Sequence, residues 1–237
     1  MTRTRRNSKS LLEVLNSGNY PMLVYGANLN YFLVDTGVFI DLDVEHYGNG
    51  KSGATPAKLL EKFHRNYPLL VTGGVMQEIK NHREDRRIKI SGRDEISHDT
   101  ATLSYGLYSG TLELFRNLSL TKCVDEMNDF HRLSVRFAYE DAFLGDSRKG
   151  IKDRMSYTDM ELITVAFNLS KYHQINDIPC TVNILSADSH LLKTIKRLKS
   201  PLANDDSLAL TSVSFKDYNV RAINTRGNLG SYMNHVA

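Results

Sequence analysis

The chain has 237 residues, of which 41% are hydrophobic and 24% charged, and its formal net charge is +3. These values are ordinary for a globular protein, and the small net charge excludes an overall polycation. No run is long and apolar enough to span a bilayer or to act as a signal sequence, so we expect a cytoplasmic protein without a membrane partner. Cys123 and Cys180 are too far apart to form a metal or redox motif.

The first part of the chain leads to a buried strand. Residues 1–20 form a basic N-terminal arm with a short helix at 8–17, and residues 22–25 could add a strand. Residues 31–34 (Tyr-Phe-Leu-Val) are uniformly apolar, which is typical of a strand buried on both faces of a parallel sheet. Asp35 falls where this strand should end, and we expect a helix to follow it.

The glycine-rich stretch at residues 48–53 (GNGKSG) matches the string of a dinucleotide-binding turn. That turn must directly follow a strand and begin a helix, and this stretch does neither. We therefore interpret it as a flexible loop.

The next elements alternate between helix and strand, which favours a layered α/β fold. We predict a helix at 57–67, a strand at 69–72 and a helix at 75–82. From about residue 84 to residue 154 the chain becomes more polar, and we predict a helical insertion there, with helices at 100–117 and 124–144.

The last third begins with the clearest helix in the sequence, at residues 158–172, where Thr158 and Glu161 have the spacing of a capping box. A strand at 181–186, a helix at 189–198 and a last strand at 208–215 follow. We therefore predict one α/β domain over residues 1–237, with three α/β/α layers and a central parallel sheet.

Four acidic residues lie at strand ends or helix starts, where a parallel sheet gathers its ligand sites: Asp35, Glu78, Asp159 and Asp188. Carboxylates that crowd together raise one another's pKa, and Mg²⁺ or Mn²⁺ relieves this repulsion through oxygen ligands. Each acid also has a structural explanation, since the three aspartates could cap helices and Glu78 could pair with His82. Because four coincidences are improbable, we predict a metal site.

The segments around these acids resemble the motifs of PIN-domain nucleases. They are VDTGVFI at 34–40, VTGGVMQEI at 71–79, MSYTDMELITVA at 155–166 and ILSADSHLL at 184–192. The last two are the most specific, and together the four segments span residues 30–200. The resemblance implies a compact PIN-like fold that is enlarged by the insertion at 84–154, which is longer than the family core needs.

The resemblance also implies a Mg²⁺- or Mn²⁺-dependent nuclease. The expected substrate is single-stranded or structured RNA, with DNA a less favoured alternative, and the expected activity is endonucleolytic. In this interpretation the four acids are catalytic residues and metal ligands, and two neighbouring hydroxyls support them. The resulting site comprises Asp35, Glu78, Asp159 and Asp188, with Thr36 and Ser186 in support.

Basic residues cluster in the N-terminal arm, at 80–93 and at 193–199. Basic clusters beside an acidic site suit a polyanion that is bound through its phosphates, although any single cluster could be an ordinary solvated surface. We predict that the second cluster contacts the nucleic acid, through Lys80, Arg83, Arg86 and Arg87.

Other functions remain open at this stage. A catalytically silent PIN-like module would bind RNA or a protein, and a toxin would need a protein inhibitor or antitoxin. A phosphatase with Asp35 as its nucleophile is less favoured, because phosphatases of the haloacid-dehalogenase type carry a second aspartate where this chain has Gly37. The sequence leaves open a homodimer, and it does not identify the cleavage position.

Overall fold

The structure is a computed structural model that describes residues 29–48, 55–84, 96–118, 156–199 and 218–225. In this part of the chain, four strands form one all-parallel sheet in the order β2-β1-β3-β4, and six helices accompany it. This is the expected α/β class, and it is consistent with three α/β/α layers. The elements are β1 (Leu29–Val34), α1 (Thr36–Gly48), α2 (Pro56–His64), β2 (Leu69–Leu70), α3 (Gly73–Glu84), α4 (His98–Asn117), α5 (Tyr157–Ile175), β3 (Cys180–Ser186), α6 (Ser189–Lys199) and β4 (Val220–Asn224).

The two central strands explain why the apolar runs were recognisable in the sequence. All seven residues of β3 and the last four of β1 are buried, as expected for parallel strands covered on both faces. Val34 pairs with Leu185, and the backbone N–H of Asp35 donates to the Leu185 carbonyl at 3.0 Å. This register makes β1 and β3 end side by side, so that Asp35 and Ser186 leave the sheet together.

The core is built from the buried faces of the helices against this sheet. Residues 162–167 of α5 are all buried, as their apolar sequence predicts. On α2, the ring of Phe63 packs edge-to-face on Phe32 of β1 at a centroid distance of 5.5 Å, and Tyr67 adds a second edge-to-face contact with Phe32 at 5.7 Å. Such aromatic pairs fix the orientation of a helix as well as burying area.

The predicted capping box of α5 was wrong. The N-cap is Ser156, whose backbone is extended and whose hydroxyl accepts the backbone N–H of Asp159 at 3.0 Å. The helix thus begins before Thr158, and Glu161 is freed to contact a different helix. A serine and an acid three residues apart thus start the helix two residues earlier than Thr158 and Glu161 would have done.

Other predicted elements were confirmed with small shifts of their ends, including the helix after Asp35 and the helix now seen as α4. The expected strand at 208–215 lies outside the described residues, and β4 was not predicted from its sequence. The elements at 8–17, 22–25 and 124–144, and most of the glycine-rich loop, also lie outside them. None of the described helices combines the length and apolarity needed to cross a bilayer.

A buried carboxylate joins α1 to the start of α4. Asp43 accepts the backbone N–H of Ser97 at 2.8 Å, the Thr100 hydroxyl at 2.9 Å and the Ser97 hydroxyl at 3.3 Å. Burial raises the pKa of Asp43, while these hydrogen bonds and the nearby His46 oppose the rise. Because Ser97 is also the N-cap of α4, this cluster fixes where α4 begins.

We expect Asp43→Ala to lower the free energy of unfolding by about 2–3 kcal/mol, because buried donors lose a charged acceptor. Asp43→Asn keeps a carbonyl oxygen and should lose less. Urea denaturation with an unchanged m-value would measure both changes. An Asp43→Ala midpoint equal to that of the wild type would contradict this role.

Candidate carboxylate site

Asp35 is the most deeply buried acid at the carboxyl edge of the sheet, with 7% of the residue exposed. Its carbonyl oxygen accepts the N–H of Val38 at 3.1 Å, so the residue also starts α1. The hydroxyl of Ser186, at the end of β3, donates to Asp35 Oδ2 at 2.6 Å. The side chain is therefore oriented by contacts with the ends of two adjacent strands.

The same hydroxyl connects Asp35 to Asp188. Ser186 Oγ accepts the backbone N–H of Asp188 at 2.9 Å while it donates to Asp35. Asp188 Oδ1 in turn accepts the N–H of His190 at 2.7 Å, which caps α6, and the Asp188 side chain remains 44% exposed. The helix-capping explanation for Asp188 is thus correct, and it leaves the second carboxylate oxygen available to a ligand.

Glu78 enters the site from α3. Its Oε2 accepts the Thr36 hydroxyl at 2.7 Å, which joins α3 to the first residue of α1. The alternative pairing with His82 is not observed: Nδ1 of His82 is buried without a hydrogen-bond partner in the part of the chain that the structure describes. Thr36 therefore orients Glu78, a specific contact for a residue that we had expected only to support the site.

Asp159 contributes the fourth carboxylate, from the first turn of α5. Its backbone N–H donates to Ser156, and its carboxyl also forms a hydrogen bond with the Ser156 hydroxyl. Asp159 therefore has the structural helix-start role considered from the sequence, and the electrostatics below place it among the other three acids.

The pKa shifts of Asp35 and Asp159 indicate that the four acids are close enough to interact electrostatically. Burial raises the pKa of Asp35 to about 6, and Glu78 and Asp188 add to the rise, while hydrogen bonds from Ser186 and Thr36 oppose it. Burial raises the pKa of Asp159 to about 7 against the Ser156 hydrogen bond, and Asp35, Asp188 and Glu78 all add to that rise. In the described part of the chain, no Lys or Arg is among the groups that shift either pKa.

This donor set fits a hard divalent cation in its chemistry, since oxygen ligands that repel one another lack a compensating positive charge. The positions of these side chains, however, do not form a complete set of metal ligands. Among the described residues, no group of three or more His, Cys, Asp or Glu side chains is placed so that it could hold a metal ion. One oxygen of Asp188 and one of Glu78 are bonded to protein donors instead.

The predicted nucleic-acid-binding residues are described only in part. Lys80 is exposed on α3, and Arg83 Nη2 lies 3.4 Å from Nδ1 of His98 on α4. Arg86 and Arg87 lie outside the described residues. The structure thus places one exposed cation of this cluster on the helix that carries Glu78.

Sequence reasoning missed two residues near the acids. Ser156 was recognisable from its spacing to Asp159, the serine-to-acid signal of a capping box. Glu161 was assigned to a capping box with Thr158, and nothing in the local sequence indicated its contact with α3, where Gly74 is 87 positions away.

The raised pKa values make the stability of the metal-free protein depend on pH. Between the unfolded pKa of Asp159, near 4, and its folded pKa of about 7, the folded state binds more protons than the unfolded state. The stability that depends on the protonated Asp159 carboxyl is fully present below about pH 4 and is lost as the pH rises through about 7.

We therefore compare Asp159→Asn with the wild type in EDTA. We expect the stability of the variant relative to the wild type to increase by about 2–3 kcal/mol when the pH is raised from about 5 to about 8. Urea denaturation at both pH values measures the change. Asp177→Asn, at the exposed far end of α5, is the matched control and should show no such gain. Parallel pH profiles for the wild type and Asp159→Asn would contradict the burial of this carboxylate among the others.

Comparisons of this chain with family models, with curated proteins and with solved structures found no match. The likeness to PIN domains therefore depends on the four sequence motifs, and the geometry of the site has to support any function on its own.

Proposed function

We propose that this chain is a PIN-like, divalent-metal-dependent nuclease that hydrolyses phosphodiester bonds, in RNA more than in DNA. The observation that carries the proposal is the convergence of four carboxylates, from four different elements or their ends, at the carboxyl edge of a parallel sheet. Burial raises the pKa of Asp35 and Asp159, and repulsion from the other carboxylates adds to the rise. Such an uncompensated cluster is costly to maintain, and a bound cation would offset that cost.

The four acids, Asp35, Glu78, Asp159 and Asp188, would hold one or two ions of Mg²⁺ or Mn²⁺. A cation bound there would supply positive charge beside the scissile phosphate and favour ionisation of the attacking water. Oxygen from water then bonds to phosphorus as the bond to the leaving 3′ oxygen breaks. That oxygen takes up a proton, which leaves a 5′-phosphate and a 3′-hydroxyl.

The protein's own contribution is orientation and proton balance. Ser186 and the backbone of Thr36 orient the Asp35 carboxylate, and the Thr36 hydroxyl orients Oε2 of Glu78. Because the pKa of Asp159 is about 7, this carboxyl carries a proton for much of the time near neutral pH. That proton must leave when a cation binds.

Cations on α3 and α6 would bind the phosphates of the substrate. Lys80 of α3 and Lys193 and Lys196 of α6 are exposed, and both helices begin close to the acidic site. Contacts of this kind give affinity without reading base sequence. We therefore expect the protein to recognise its substrate by shape or single-stranded character and not by a fixed base sequence.

We expect the purified protein to cut end-labelled single-stranded RNA in Mn²⁺, and EDTA to abolish cutting. Asp35→Asn should lower the rate about 100-fold or more, because a cation-binding charge worth several kcal/mol is lost. Asp177→Asn makes the same chemical change next to the start of β3, at the opposite edge of the sheet, and should cut like the wild type. Matched DNA substrates show which nucleic acid is preferred.

The result that contradicts the nuclease is a folded wild type that neither cuts nor binds Mn²⁺. That outcome would favour the catalytically silent module that binds RNA or a protein partner. Binding of Mn²⁺ without cutting would instead indicate a substrate narrower than generic RNA.

Affinity for Mn²⁺ should fall as the pH is lowered from about 8 to about 5, because protons compete for carboxylates with raised pKa values. Calorimetry in buffers with different ionisation enthalpies measures the protons released. Asp159→Asn should release fewer protons than the wild type. An affinity that does not change with pH would mean that these carboxylates are not the ligands.

A further inference from the structure

Glu161 connects the helices that carry two of the four acids. It is partly buried on α5, two residues after Asp159, and its Oε2 accepts the backbone N–H of Gly74 at 2.7 Å. Gly74 is the second residue of α3, one helical turn before Glu78. A carboxylate at the start of a helix also interacts favourably with the helix dipole.

The two helices approach closely at this point, so a side chain at position 74 would require its neighbours to shift. A Cβ atom at Gly74 would lie 2.6 Å from Glu161 Oε2 and 3.1 Å from the backbone Cα of Thr158. A Cβ atom would therefore displace the Glu161 carboxylate, and the tight contact with Cα requires the backbone to shift by a few tenths of an ångström. At the neighbouring Gly73 the same atom would find ordinary contacts of 3.5 Å with Glu161 and Tyr108, so the constraint belongs to Gly74.

This contact has a geometric consequence for the acidic site. Glu161 is rigidly attached to Asp159 through the first turns of α5, and Gly74 is attached to Glu78 through one turn of α3. The hydrogen bond between Glu161 and Gly74 therefore links the backbone segments that carry Glu78 and Asp159. Repulsion between these carboxylates favours their separation, and in the described part of the chain no Lys or Arg is among the groups that shift the pKa of Asp159.

We propose that Glu161 is a positioning residue, which holds α3 against α5 at the spacing that lets Glu78 and Asp159 bind the same cation or cation pair. The proposal rests on the metal-dependent function proposed above. Glu161 acts through the length of its side chain, which lets its oxygen accept the Gly74 N–H, and not through its charge. It is not itself a ligand.

Two conservative variants separate the effect of the side-chain length of Glu161 from the effect of its charge. Glu161→Gln keeps a side-chain oxygen at the same distance and loses the charge, whereas Glu161→Asp keeps the charge and loses the reach. We expect the affinity for Mn²⁺ to stay within about threefold of the wild type in Glu161→Gln and to weaken about tenfold or more in Glu161→Asp, which is the range for residues that orient metal ligands. Calorimetry with Mn²⁺ and the full-length chain measures both.

Two further variants complete the test. Gly74→Ala forces the contact apart from the other side and should weaken Mn²⁺ binding in the same way as Glu161→Asp. Glu61→Ala removes a 54% exposed carboxylate from α2, where it pairs with Arg65 at 3.2 Å, and should bind Mn²⁺ like the wild type. Melting temperatures of all variants without metal separate lost positioning from lost folding.

The opposite order of affinities, with Glu161→Gln weak and Glu161→Asp intact, would overturn positioning in favour of a charge effect. Equal Mn²⁺ binding by the wild type and all folded variants would also overturn it, while leaving the proposed function standing. A wild type that does not bind Mn²⁺ would overturn the proposed function, and the positioning role with it.

Discussion

The burial of the Asp35 carboxylate is the constraint on which the rest of the site depends. The residue is 7% exposed, and the groups that lower its pKa in the described structure are the hydrogen bonds from Ser186 and Thr36, with no Lys or Arg among them. Its position follows from the pairing of β1 with β3, because that register places the Ser186 hydroxyl against Asp35. Displacing β3 by one residue would turn Ser186 to the opposite face of the sheet.

The positions of the acids could be predicted because they follow patterns that are local in sequence. The apolar runs of β1 and β3 identify buried parallel strands, and Asp35 comes directly after β1 while Asp188 comes two residues after the end of β3. Helix α5 was evident from its apolar middle, since a helix that is buried all round has few polar positions. What remained open was whether four strand-end or helix-start acids would face one another, which depends on the order of strands in the sheet.

The features that sequence did not reveal depend on contacts between distant elements. Thr158 and Glu161 fit a capping box by spacing, yet Ser156 caps α5 because the helix starts earlier and Glu161 reaches α3 instead. The strand β4 is short, and its exposed Arg221 interrupts the apolar pattern, so that its pairing with β3 was not recognisable. In both cases tertiary packing chooses among options that are equivalent in local sequence.

The central pairing of β1 with β3 joins parts of the chain that are far apart, since Asp35 and Ser186 are separated by 151 positions. Closing so large a loop is slow, and it cannot begin until β3 exists. A ribosome therefore completes Asp35 and Glu78 long before it adds Asp159 and Asp188. During synthesis the nascent chain holds only half of the acidic cluster, so any hydrolytic activity would switch on late, after most of the polypeptide has emerged.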